Sequence, residues 1–202
     1  MMQLMNTLHQ LTSSAVRAPT STRRSARGFT FVEVLTTTTL IGTLMALGVP
    51  AFGSGLANVK LGSAANTLLF DLYLARSEAI KRNAHVVLCK SIDGETCEPD
   101  GGWEQGSIVF HDNNNNGTRD PTEAVIHKEQ ATSADLRING NQNVIRYVSY
   151  DPQGRSKLAS GAFQAGTITF CRRSAEPTEA RQIVINSDGR PRIQKIQVAE
   201  CD

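Results

Sequence analysis

Residues 29 to 52, FTFVEVLTTTTLIGTLMALGVPAF, form a stretch of 24 residues whose single charge is Glu33, and it follows directly on a basic segment without acids. As a helix it is long enough to cross a hydrocarbon layer of ~30 Å. The threonine run from Thr36 to Thr39 makes it only modestly apolar. Arg17, Arg23, Arg24 and Arg27 all lie on its N-terminal side, so the positive-inside rule leaves residues 1 to 28 in the cytoplasm and sends the rest across, as a single-pass anchor. A chain of 202 residues then has room for that anchor and one domain with a real core.

A secretory signal carries its small-residue cleavage site after the apolar run. Here the order is reversed, with the Arg-rich stretch running into Gly28 and Phe29. The string RGFTFVEVL resembles the signal of type IV prepilins. That resemblance implies a leader over 1–28, cut between Gly28 and Phe29 by a prepilin peptidase, and N-methylation of Phe29. It also implies an inner-membrane protein whose globular part lies in the periplasm, and outside the cell once assembled in a fibre. An ionised carboxylate in an apolar helix costs about 2.5 kcal/mol or more unless it finds a partner. In pilins, the partner implied for Glu33 is the N-terminal amine of a neighbouring subunit. Gly42 and Pro50 weaken helical hydrogen bonding, so a bend or local melting is expected there. Pro50 also stands where related pilins often carry proline.

The formal charge of +2 is misleading, because four of the 21 basic residues belong to the leader. Without it, 17 Lys and Arg face 19 Asp and Glu, a net charge of −2. Affinity for a polyanion must then come from a local patch. The four cysteines, Cys89, Cys97, Cys171 and Cys201, all follow the apolar segment, which suits an oxidising compartment. Spacing favours the local pairs Cys89 with Cys97 and Cys171 with Cys201, although three connectivities are open. No Cys-x-x-Cys pair is present, and His9, His85, His111 and His127 lack ligand spacing, so no metal site is expected.

From Leu61 to Ile80, apolar and small residues recur at helical spacing: Leu61, Ala64, Ala65, Leu68, Leu69, Leu72, Ala75, Ala79 and Ile80. One face should therefore be core, with Lys60, Asp71, Arg76 and Lys81 in water, and Asn83 is a reasonable stop. Beyond it the periodicity becomes strand-like, at 84–90, 106–111, 124–128, 144–150, 166–172, 181–186 and 190–198. Connections are mostly too short for crossovers, so antiparallel hairpins dominate. The text LARSEAIKRN followed by AHVVLCK, together with GGWEQGSIVFHDNNNNGTRDPTEAVI, resembles the FimT/GspH group of minor pilins and pseudopilins. The expected fold is α+β and type IV pilin-like. Residues 29–52 form the membrane and assembly half of a long helix, 53–83 its amphipathic half, and 84–202 a β-rich domain on antiparallel sheets.

The loop DNNNNGTRDPTE satisfies the calcium pattern D-x-[DN]-x-[DN]-G-x5-E through Asp112, Asn114, Asn116, Gly117 and Glu123. It follows a strand, however, and position eight is Arg119 where an apolar brace is usual. A plain hairpin loop is the better reading. With no nucleophile elbow, phosphate loop or acid–base pair of carboxylates, neither catalysis nor a cofactor is expected.

Residues 187–197 read SDGRPRIQKIQ. Arg190 and Arg192 alternate along an extended segment and so share a side. Pro191 forbids a central ladder position, and Gly189 permits a tight turn. Neighbouring cations on a rigid edge suit phosphates, and Lys195, Lys157, Arg155 and Arg181 extend the patch. The run from Gly189 to Arg192 resembles the GRxR motif of the FimT branch, which implies non-specific binding of extracellular double-stranded DNA for natural transformation. The other reading is structural: a pseudopilin of type II secretion, or a minor pilin that primes a fibre, whose edge charges only block aggregation. Both readings imply pilin or pseudopilin subunits as partners.

Overall fold

A computed structural model describes residues 28–201, with the backbone alone at 47 and 49–54. Most of the leader, with Met1 and the four arginines, lies outside the described residues. The chain divides into two compact units, residues 1–46 and 47–202. One helix, α1 (Phe31–Arg82), contributes to both. Eight strands follow: β1 (Val86–Lys90), β2 (Ser107–His111), β3 (Val125–Glu129), β4 (Leu136–Gly140), β5 (Tyr147–Tyr150), β6 (Gly166–Arg172), β7 (Thr178–Ile185) and β8 (Pro191–Val198).

Helix α1 begins at Thr30, whose hydroxyl accepts the Glu33 amide at 3.3 Å, a Thr-x-x-Glu start. Its backbone stays helical across Gly42 and Pro50, so of the expected bend or local melting the second does not occur. It ends as expected, with Asn83 at φ 51°, a left-handed conformation that Asn tolerates.

Strands pair antiparallel in two four-stranded sheets, ordered β3-β2-β1-β5 and β4-β6-β7-β8. Both present apolar residues to one stripe of α1. Leu61, Ala65, Leu68, Leu72, Ala75 and Ala79, spaced by three and four, meet Leu88, Val109 and Tyr150 of the first sheet and Ile138, Phe170 and Ile183 of the second. Burying each such leucine contributes about 1.5–3 kcal/mol, so the stripe is the main bond between helix and sheets. The outer face of the first sheet carries a smaller cluster of Val87, Cys89, Ile108 and Phe110. Disulfides join Cys89 to Cys97 and Cys171 to Cys201, the local pairing.

Three expectations need correction. Ile80 is exposed, because it follows the buried Ala79 around the helix. Asp71, read as solvated, is fully buried. Strand β4 occupies residues read as a loop; of its sequence LRING only Leu136 and Ile138 are apolar, and both face the core.

Candidate functional site

From Phe31 to Met45 the large apolar side chains of α1 are exposed, as are Phe29 and Glu33. The threonines here do not compete for outside partners. Thr36, Thr37, Thr38, Thr39 and Thr43 each donate to a carbonyl three or four residues back, at 2.7 to 3.1 Å. Such back-bonding hides hydroxyls that would otherwise be costly to bury. Among the described residues, no helix is long and apolar enough to cross a membrane.

At the other end of the chain, β8 is an edge strand, as Pro191 requires. The turn before it closes through the Gly189 amide on the Asn186 carbonyl at 3.0 Å and the Arg190 amide on Asn186 Oδ1 at 3.2 Å. Gly189 has φ +71°, and a Cβ there would meet the Gly154 carbonyl oxygen at 2.3 Å. Only glycine satisfies both conditions. Helix α1 braces this corner: Tyr73 Oη donates to the Pro191 carbonyl at 2.9 Å, and Arg76 Nε donates to the Gly154 carbonyl at 2.8 Å.

Arg190 and Arg192 are exposed on either side of the buried Pro191, and neither guanidinium has an acidic partner among the described residues. Arg192 stands opposite Val184, whereas Lys195 stands opposite Arg181. Since successive side chains alternate faces, Lys195 and Arg181 lie on the other side of the sheet from Arg192. Arg155 is paired with Asp151 at 2.9 Å, which withdraws it from the patch. Lys157 lies 5.4 Å over the Phe163 ring. Of the cations read as one patch, Arg190 and Arg192 are the two that are exposed, adjacent to Pro191 and without an acidic partner among the described residues.

In the 112–123 loop, all three carboxylates serve the loop itself, Asp120 by accepting the side-chain amides of Asn114 and Asn116. Asp112 accepts the amides of Asn116 and Gly117, and Glu123 accepts those of Asn113 and Asp120, at 2.7 to 3.2 Å. This is a hairpin loop braced from within.

Sequence reasoning missed a third feature, which the register assembles from distant positions. Ser107 pairs with Glu129 and Val109 with His127, and Val109 belongs to the core facing α1. Ser107, His127 and Glu129 therefore face the helix, where they meet the buried Asp71. Burial pushes the Asp71 carboxyl up to about 6; the nearby His127 opposes that shift and the Glu129 charge adds to it.

A long helix packed by one stripe against two antiparallel sheets, carrying an exposed apolar N-terminal segment, defines the α+β class of type IV pilin-like proteins. The chain belongs to the GspH family of minor pilins and pseudopilins: residues 64–189, more than half of it, match the family described as type II transport protein GspH. It is similar to the pilin-like protein PilA1 of Thermus thermophilus, 28% identical over 172 residues that cover 83% of this chain and 98% of the relative. Among solved structures it is similar to the type IV minor pilin FimU of Pseudomonas aeruginosa. That match has 19% identity and a TM-score of 0.49, over 72% of this chain and 97% of FimU. It is also similar to the minor pseudopilin EpsH from the type 2 secretion system of Vibrio cholerae. There the identity is 15% and the TM-score 0.43, over 67% of this chain and 96% of EpsH. Proteins of this family are structural and non-enzymatic, and they assemble with other pilin subunits.

Proposed function

We propose that this chain is a minor type IV pilin that binds extracellular duplex DNA without sequence preference, to assist natural transformation. The observation that carries this reading is the pair of exposed guanidinium groups, Arg190 and Arg192, held at either side of a buried proline on a braced edge. Each phosphate they neutralise releases a counterion and adds affinity independent of sequence. Lys195, further along the strand, adds charge from the opposite face. The N-terminal segment serves membrane insertion and assembly, after a prepilin peptidase cuts between Gly28 and Phe29 and Phe29 is N-methylated. Exposed apolar side chains and internally bonded threonines support that role.

The test is titration of the full chain in detergent with labelled duplex DNA, beside the Arg190→Ala/Arg192→Ala double variant. The leader arginines are common to both, so the difference isolates the distal pair. Weak binding at low salt that falls steeply as salt rises, and is much reduced in the double variant, is the expected result. Equal affinity in the two proteins would exclude the arginine pair.

A second reading is favoured by the family's description as a type II transport protein and by the net charge of −2 without the leader. In it the chain is a pseudopilin of a secretion system, and Arg190 and Arg192 protect a sheet edge from pairing.

A further inference from the structure

We propose that Asp71, His127 and Glu129 form a binding site for one divalent transition-metal cation of the zinc type, which links α1 to the edge strand β3. Three ligand atoms, one from each residue, lie within 4.8 Å of one another. The His127 Nε2 is 3.5 Å from Asp71 Oδ1 and 3.8 Å from Glu129 Oε2. A tetrahedral zinc ion with bonds of about 2.0 Å separates its ligand atoms by roughly 3.3 Å, so the two distances from His127 are already close to that value and the two carboxylates must draw together around the ion.

The second observation is Asp71 itself. Its residue is fully buried, and Oδ1, the oxygen aimed at His127 and Glu129, has no hydrogen-bond partner. A buried carboxylate oxygen without a hydrogen bond is expensive. A cation shared with the imidazole and the second carboxylate removes that cost and balances two negative groups converging on one ring. Around this set, Ser107 Oγ donates to Asp71 Oδ2 at 3.5 Å, and the Phe70 ring meets the imidazole edge-on at 6.2 Å between centroids. Both contacts orient ligands from outside the metal.

The donor set decides the class of ion. One imidazole with two carboxylates suits zinc and its neighbours, whereas calcium and magnesium take oxygen ligands almost throughout. Asp71 and Glu129 also line a cleft of about 310 Å³ between α1 and the segment after β3. Water in that cleft would supply the remaining ligand that a site with three protein ligands requires.

The test uses the full chain in detergent, oxidised so that the four cysteines stay in disulfides. After chelator treatment, zinc is added and its uptake measured by calorimetry and by metal analysis, with melting followed in parallel. One zinc per chain and a raised melting temperature are expected, with affinity at least about tenfold lower in both His127→Ala and Glu129→Gln. Neither residue is buried, so both variants should keep the far-ultraviolet spectrum of the parent, which is recorded alongside. No uptake by the parent chain, or uptake unchanged in either variant, overturns the site. Calcium that binds more tightly than zinc, with the same dependence on His127 and Glu129, overturns the assignment of the ion.

Discussion

The Tyr73 hydroxyl donates a 2.9 Å hydrogen bond to the carbonyl of Pro191, tying α1 to the first residue of the edge strand that carries Arg192. Replacing it by Tyr73→Phe keeps the ring and removes the tether. The expected loss is about 0.5–1.5 kcal/mol in chemical denaturation, the range for a single hydrogen bond. Faster hydrogen exchange at the Arg190 and Arg192 amides should accompany it, and unchanged exchange would show that the tether does not hold the edge.

Gly189 and Gly161 both have positive φ, +71° and +82°, but only Gly189 is crowded by backbone. Alanine at either position carries the left-handed penalty of about 1–2 kcal/mol. Gly189→Ala adds a clash with the Gly154 carbonyl, so its melting temperature should fall well below that of Gly161→Ala. Equal losses would mean that the Gly154 turn yields freely.

The disulfide between Cys171 and Cys201 closes a loop with a sequence separation of 30. On the chain-entropy model its removal by paired alanines costs about 3–4 kcal/mol, against about 2.5 kcal/mol for the separation of eight between Cys89 and Cys97. Urea denaturation of the two double variants ranks them.

Asp93 accepts the amides of Glu95 and Thr96 and the Thr96 hydroxyl, at 2.7 to 2.8 Å. These bonds hold its carboxyl well below the usual carboxylate range. Since the folded value is depressed, its stabilising contribution is present above the unfolded value of about 3.9 and is lost as pH falls from there toward the folded value. Asp93→Asn should flatten the acid limb of the stability profile of the 91–97 loop, followed by amide exchange between pH 5 and pH 2.

Glu33→Ala should leave processing at Gly28 intact and abolish incorporation into fibres, read by immunoblotting of sheared surface fractions. Normal incorporation would contradict a pairing between Glu33 and a neighbour's N-terminus.

Features governed by local rules were legible in the sequence. The helical stripe from Leu61 to Ala79, the stop at Asn83 and the edge position imposed by Pro191 all depend on neighbours within a few residues, and spacing favours the observed cysteine pairs among three connectivities. What escaped depends on distant partners. A charged residue on a helix reads as solvated, and nothing near Asp71 announces that β2 and β3 will bring Ser107, His127 and Glu129 over it. Strand β4 has two core residues in five, too few for a periodic signal, and takes its conformation from pairing with β6. By contrast, the separation of Lys195 from Arg192 follows from their odd spacing along a single strand.

Among the described residues the two sheets share no ladder of strands and both pack on the apolar stripe of α1. Mechanically, tension applied along that helix would be carried as shear across many weak contacts at once, without unzipping a row of backbone hydrogen bonds one at a time. The Cys171–Cys201 crosslink clamps the C-terminal end of the second sheet, so a peel starting from that end meets a covalent stop. Such a layout resists pulling along the helix by the same contacts that stabilise the fold, which force spectroscopy would read as a shear-type rupture.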